Sequence, residues 1–150
     1  MNQISLWTSL KLDSLEDEIP FRISKVELIK IFERNSVSFD VPDERIIIVK
    51  SSLLSLEELF YVSFQFEGEK MIAITMSPCI AVEGKELNSR YKKIQTILEN
   101  ELGRPYNRCR LIMNFLDPDN RLSYWMRDGR KIEHYLQDRF AMEEIINIKL

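Results

Sequence analysis

Phe60-Tyr61-Val62-Ser63-Phe64-Gln65-Phe66, then Glu67-Gly68-Glu69-Lys70, then Met71-Ile72-Ala73-Ile74-Thr75-Met76, is the stretch that decides the fold. Large apolar side chains at 60, 62, 64 and 66 alternate with Tyr61, Ser63 and Gln65, the two-residue period of a strand with one buried face. The glycine-bearing turn leads into a second arm in which Ile72, Ile74 and Met76 repeat the alternation. Both arms offer one apolar face to the same core, and such a face needs a second layer to cover it.

Helical patterns on either side supply that layer. In Ile23-Ser24-Lys25-Val26-Glu27-Leu28, Ser24 can accept from the backbone three residues on while Glu27 reaches back, with Ile23 and Leu28 placed as a hydrophobic staple. The spacing predicts a helix over 24–35 that buries Val26, Ile29 and Phe32. A second helix over 88–102, capped by Asn88 or Ser89, sets Tyr91, Ile94, Leu98 and Leu102 on one stripe; Gly103 ends it and Pro105 prevents its return. Arg45–Lys50, with its β-branched run, reads as a short strand covered on both faces. Leu111, Met113 and Phe115 alternate toward the turn Asp117-Pro118-Asp119-Asn120, and Leu122–Met126, Ile132–Leu136 and Glu144–Leu150 follow as a three-arm meander.

The hairpin around Asp128-Gly129 allows two registers. A two-residue turn sets Tyr124 opposite Glu133 and Met126 opposite Lys131, charge against an apolar arm. A three-residue loop with a bulge at Gly129 sets Tyr124 opposite Ile132 and Leu122 opposite His134, keeping one face apolar. The second register is expected, and it gathers Trp125, Lys131, Glu133 and Tyr135 on the face away from the helices.

The fold class is therefore α+β: an antiparallel sheet built from two helix-plus-meander units, both helices packed on one face. The expected organisation is a single domain over 1–150 with a pseudo-repeat of 23–78 and 87–150. No sequence identity marks a duplication, and convergent helix-plus-meander packing explains the likeness equally well.

Composition narrows the chemistry. The chain of 150 residues, 45% hydrophobic, is long enough to bury a core without disulfides or metal. One His and two Cys cannot build a multi-His metal site or a Cys-rich zinc module. Neither a metal nor a cofactor is expected. Cys79 and Cys109 stand in no redox spacing and read as reduced thiols. No basic, apolar leader and no run of about 20 apolar residues occurs, so the expectation is a cytoplasmic protein without a membrane partner. Against 21 basic and 24 acidic residues overall, residues 1–75 hold 8 and 13, and the rest 13 and 11, an acidic half followed by a mildly basic one.

His134 is the only imidazole, expected mid-strand and facing the core as a hydrogen-bonded structural histidine. The sequence has no nucleophile elbow, phosphate-cradling glycine loop or His-Glu-x-x-His. Asp13, Glu16, Asp17 and Glu18 could in principle serve carboxylate-based hydrolysis, but in a flexible N-terminal stretch they read as a partner-binding acidic segment. Arg104, Arg108, Arg110, Arg121, Arg127 and Arg130, with Lys131, accumulate near Tyr106, Tyr124 and Trp125, a mixture that can pair phosphates and stack bases. Interspersed Asp117, Asp119 and Asp128 and a pI of 5.3 weaken that reading. Trp125 and Tyr135, flanked by Arg127, Lys131 and Glu133, combine aromatic anchors with a polar rim. They would either pack beneath the N-terminal Leu6 and Trp7 or meet another protein.

The helix ending Leu102-Gly103-Arg104-Pro105, the strand bearing Ser123-Tyr124-Trp125, the late Arg139-Phe140 and the terminal Glu144–Leu150 together resemble the small immunity proteins of polymorphic and contact-dependent bacterial toxin systems. The resemblance covers about the last 60 residues. It implies a small cytoplasmic α+β protein, not an enzyme, that neutralises a cognate protein toxin by direct contact. The partner-binding residues so expected are Asp13, Glu16, Asp17, Glu18, Trp125, Arg127, Lys131 and Tyr135, in a monomer or weak homodimer. The alternative is a nucleic-acid or regulatory binding module using the Arg104–Lys131 region, and a carboxylate hydrolase stands third.

Overall fold

The computed structural model describes residues 6–54, 56–106, 122–138 and 142–150. In chain order it forms β1 (Ser9–Leu10), β2 (Ile19–Pro20), α1 (Lys25–Arg34), β3 (Phe39–Asp43), β4 (Ile46–Ser52), β5 (Leu59–Glu67), β6 (Lys70–Pro78), α2 (Gly84–Leu102), β7 (Leu122–Arg127), β8 (Arg130–Asp138) and β9 (Met142–Lys149). The fold is α+β. Among the described residues β1 pairs with β2, and the other seven strands form one sheet in the order β3-β4-β5-β6-β9-β8-β7, every neighbouring pair antiparallel.

The β5–β6 hairpin behaves as its alternation dictates. Phe60, Val62, Phe64 and Phe66 point inward and are buried, as are Met71, Ile74 and Met76. A register shift after Gln65 leaves Ile72 without a β5 partner and partly exposed instead of inward. The inward rows run across the sheet. Ile47 faces Phe64, Phe64 faces Ile74, and the row continues through Ile148 and Ile132 to Trp125. Directly opposed residues share a face, so this row is one continuous apolar ladder across six strands. A parallel row passes from Val49 through Val62, Met76, Ile146 and His134 to Ser123.

Both helices meet that face. α1 begins at Ser24 with the expected capping box: the Ser24 side chain accepts from the Glu27 amide, and Glu27 accepts from the Ser24 amide at 3.0 Å. The acidic cap completes two orphan donors and suits the positive end of the helix, and the Ser24 hydrogen bonds hold the Glu27 carboxyl below its usual range. The buried residues are Leu28 and Phe32, with the Phe32 ring 5.9 Å from Phe64; Val26, expected inward, is 49% exposed. α2 starts four residues earlier than its capping signal suggested. Glu83 is the N-cap, without a side-chain cap bond, and Asn88 donates back to the Gly84 carbonyl from inside the helix.

The β7–β8 hairpin takes the register that the apolar-face argument rejected. Arg127 pairs with Arg130 around a two-residue Asp128-Gly129 turn, and both central residues have positive φ, 50° and 79°. This mirror-image turn matches the right-handed strand twist. Leu122, Tyr124 and Met126 consequently lie on the outer face, opposite Tyr135, Glu133 and Lys131, while Ser123 and Trp125 turn inward. The misjudged point was which side of β7 is the buried one: alternating Leu, Tyr and Met marked the wrong face because Trp125, opposite Ile132, belongs to the core.

The N-terminal segment is also part of the core. Leu6, Trp7, Leu10, Leu12, Leu15 and Ile19 are buried in it. Leu12 bridges to Leu53, the Asp13 amide donates to the Ser52 carbonyl at 3.0 Å, and Arg130 donates to the Trp7 carbonyl. β4 is covered on one face only, burying Ile47 and Val49 and exposing Lys50, and β3 was not legible as a strand. The expected strand near 109–116, its Asp117–Asn120 turn and Cys109 fall outside the described residues.

Candidate functional site

α2 turns Leu87, Arg90, Tyr91, Ile94, Gln95 and Leu98 toward the sheet, so two polar side chains sit within its apolar stripe. They meet the inward positions of the last two strands, where β8 offers His134 between Ile132 and Leu136 and β9 offers Glu144 before Ile146. Leu136 and Glu144 are directly opposed, which sets Glu144 on the same face as His134, two residues away. The result is a buried chain of hydrogen bonds. Arg90 Nε donates to Glu144 Oε2 at 2.9 Å, His134 Nε2 lies 2.7 Å from Glu144 Oε1, and His134 Nδ1 lies 2.7 Å from Gln95 Oε1. Gln95 Nε2 in turn donates to Glu99 Oε1 at 2.7 Å.

Donor and acceptor roles assign the histidine. The Glu99 carboxylate can only accept, so it fixes the Gln95 amide with its nitrogen toward Glu99 and its oxygen toward His134. Nδ1 is therefore the donor toward Gln95, and Nε2 faces the Glu144 carboxyl that also accepts from Arg90. The Tyr91 ring lies stacked on the imidazole, 4.1 Å between centroids and 14° from parallel. His134 and Glu144 side chains have no exposure, so no substrate reaches the imidazole. Chemically the cluster is a pin that ties α2 to β8 and β9, as the structural reading of His134 expects. One inward neighbour, Ser123 Oγ, cross-strand from His134, has no hydrogen-bond partner among the described residues.

Arg90 links this pin to the surface. Its Nη1 donates to the Ile80 carbonyl at 2.9 Å and lies 3.6 Å from Glu58 Oε2. Above it opens a cleft of about 550 Å³ between the start of β5, the 79–82 connection and the first half of α2. Leu59, Ile80 and Val82 form its apolar wall, and Glu57, Glu58 and Glu86 stand around it with Lys93. Cys79 also borders it as a free thiol, raised by its burial despite the nearby Lys50 charge. Burial favours the neutral, less nucleophilic thiol. Among the described residues no group of three His, Cys, Asp or Glu is arranged to hold a metal ion.

The residues singled out by sequence lie in three places. Asp13, Glu16 and Asp17 are exposed on the helical side, with Glu18 half-buried and accepting from Ser9. Their segment is held rather than flexible: Leu12 and Leu15 anchor it, and the Lys11 ammonium donates to the Leu15 carbonyl at 2.6 Å and to the Glu16 carbonyl. Lys131 and Tyr135 lie on the outer sheet face, across the sheet from that segment. Lys131 pairs with Glu133 at 2.7 Å and sits 5.1 Å from the centroid of the Tyr124 ring, and Lys149 reaches Glu133 at 2.9 Å. Burial raises the Glu133 carboxyl, but these two ammonium groups outweigh it and hold it below the usual carboxylate range. Arg127 is exposed at the hairpin tip, 3.6 Å from Asp128. Trp125, expected beside Lys131 and Tyr135, is instead 2% exposed and donates from Nε1 to the Gly103 carbonyl at 2.7 Å, closing the end of α2.

The basic and aromatic set is likewise divided. Trp125 is in the core, Arg130 is bonded to Trp7 and faces the Phe21 ring, and Lys131 is neutralised by Glu133. Tyr106 stacks near Tyr124, 6.5 Å between centroids, while Arg108, Arg110 and Arg121 fall outside the described residues. No helix among the described residues is long and apolar enough to cross a membrane. Comparison with protein-family models, curated proteins and solved structures gives no match. Sequence reasoning missed Arg90, Gln95 and Glu144. The available signal was periodic: each is a polar residue standing at an inward position of an otherwise apolar stripe, and buried polar groups come paired.

Proposed function

We propose that this chain is a non-catalytic binding protein that neutralises a cognate protein toxin by direct contact, as an immunity protein does. The observation that carries the proposal is the preorganised acidic turn. Asp13, Glu16 and Asp17 project from a segment locked by Leu12, Leu15 and the Lys11 bridge, and no ion pair to a described residue neutralises them. Fixed carboxylates without a direct ion pair among the described residues suit a cationic partner such as a nuclease toxin. Complementary charge raises association rates from about 10⁵–10⁶ M⁻¹s⁻¹ toward about 10⁸ M⁻¹s⁻¹, and a held segment loses little conformational freedom on binding. We read the sheet as two helix-plus-meander units, α1 with β3–β6 and α2 with β7–β9, joined where β6 pairs with β9. Among the described residues such a plan leaves one sheet face without a helix and gives a contact surface without requiring a pocket for chemistry.

The test is co-purification with the product of the adjacent reading frame, followed by titration calorimetry. A tight, stoichiometric complex whose association slows with added salt is expected. A neighbour-encoded protein that fails to bind removes the proposal.

A further inference from the structure

Leu59 and Ile80 are among the most exposed large apolar side chains of the described residues, 53% and 74% exposed, and both line the cleft above Arg90. With Val82 they form an apolar wall that solvent alone does not justify. The charges around it have one sign in excess. Arg90 is matched inside the core by Glu144, which leaves Glu57, Glu58 and Glu86 facing the cleft against Lys93. Glu57, Glu86 and Lys93 form no ion pair with a described residue, and Glu58 meets Arg90 only at 3.6 Å.

We propose that this cleft receives a basic side chain, Lys or Arg flanked by apolar residues, from a partner protein. The aliphatic stem lies along Leu59, Ile80 and Val82 while the cationic head meets Glu57, Glu58 and Glu86, the division of labour that long basic side chains adopt at apolar surfaces with a polar rim. Arg90 acts as a positioning residue. By donating to Glu144 and to the Ile80 carbonyl it holds the 79–82 connection against α2, so the wall is formed before the partner arrives. The inference rests on the protein-binding reading above and moves the anchor of the interface from the sequence-predicted residues to the cleft.

The test uses the intact chain labelled with nitrogen-15 and three acetylated, amidated peptides, Leu-Arg-Leu-Arg-Leu, Leu-Glu-Leu-Glu-Leu and Leu-Gln-Leu-Gln-Leu. The Arg peptide should shift the amides of Leu59, Ile80, Ser89 and Arg90, and Glu58→Gln combined with Glu86→Gln should weaken it about tenfold, with the spectrum otherwise unchanged. Absence of shifts, shifts confined to Asp13–Glu18 or the outer sheet face, or equal binding of the Glu or Gln peptide overturns the proposal. Leu59→Ser provides a second variant, exposed and therefore compatible with folding, that should weaken the Arg peptide by removing the wall. In parallel, a neighbour-encoded toxin that binds wild type and the Gln variant equally overturns the cleft while leaving the toxin-neutralising reading in place. A toxin that does not bind at all removes that reading, and the peptides still judge the cleft.

Discussion

Replacing Glu144 with Gln should be among the most damaging conservative changes in this protein. The Glu144 carboxylate has no exposure, receives Arg90 Nε at 2.9 Å and lies 2.7 Å from His134 Nε2. An amide of the same shape presents one oxygen and one NH₂ where the carboxylate presents two oxygens, so only one of its two sites can still accept. It also leaves the Arg90 guanidinium inside the core without its carboxylate partner. Breaking a buried pair in this way costs about 3–5 kcal/mol, a large part of the roughly 5–15 kcal/mol that holds an ordinary domain. With a urea slope of about 2 kcal/mol/M, the unfolding midpoint should fall by about 1.5–2.5 M at constant slope, and Tm by about 6–20 °C. Urea titration followed by circular dichroism at pH 7 measures it. Arg90→Met in the Glu144→Gln background should cost less than in wild type, with a coupling energy of about 0.5–3 kcal/mol. A midpoint shift below about 0.3 M, or strict additivity, would show that the cluster is not an energetic unit.

Four further outcomes follow from separate features. Ser24→Ala removes an N-cap that accepts from the Glu27 amide and should destabilise by about 1 kcal/mol in the same urea titration, whereas the exposed Ser38→Ala should change nothing measurable. Gly129→Val forces a β-branched residue to φ 79° at the tip of the β7–β8 hairpin; a loss of about 1–2 kcal/mol is expected, and an unchanged midpoint would contradict a left-handed backbone at Gly129. Glu133→Gln tests the outer-face ion pairs through pH. The folded carboxyl lies below its ordinary value of 4.5, so its contribution is complete above that value and disappears as pH falls through the lower folded value. The stability gap between wild type and variant should therefore be full at pH 7 and shrink below about pH 4.5; a gap that grows on acidification contradicts the assignment. Trp7 and Trp125 are both buried, so native fluorescence should be blue-shifted and resist iodide quenching, and a Trp125 readily quenched in a Trp7→Phe variant would restore it to the surface.

Much of the architecture was legible because local rules and tertiary packing agree there. The Ser24/Glu27 capping box, the β5–β6 alternation and the Tyr91-to-Leu98 stripe each specify an element within a few residues of chain, and the core uses all three. The start of α2 was missed because residues 84–87 form helix without a capping side chain; packing of Leu87 supplies the stabilisation that a cap would otherwise provide. His134 was read correctly as an inward, bonded histidine. Its partners were not, since Arg90, Gln95 and Glu144 come from two other elements.

What the sequence determined alone is the set of faces: which helices and strands form and, for most of them, which side is apolar, because periodicity is a local property of the chain. What only the tertiary structure decided is which faces meet. For β7 the alternation of Leu122, Tyr124 and Met126 competed with that of Ser123 and Trp125, and a one-residue change of register exchanges the two. The choice was made by Trp125, whose ring completes the Ile47-to-Ile132 ladder and whose Nε1 satisfies the Gly103 carbonyl at the end of α2. Gly103 and the rest of the ladder beyond Ile132 are far from it in sequence. The same holds for the Arg90–Glu144–His134 pin and for the cleft above it, whose walls come from β5, the 79–82 connection and α2 and exist only once the sheet has brought them together.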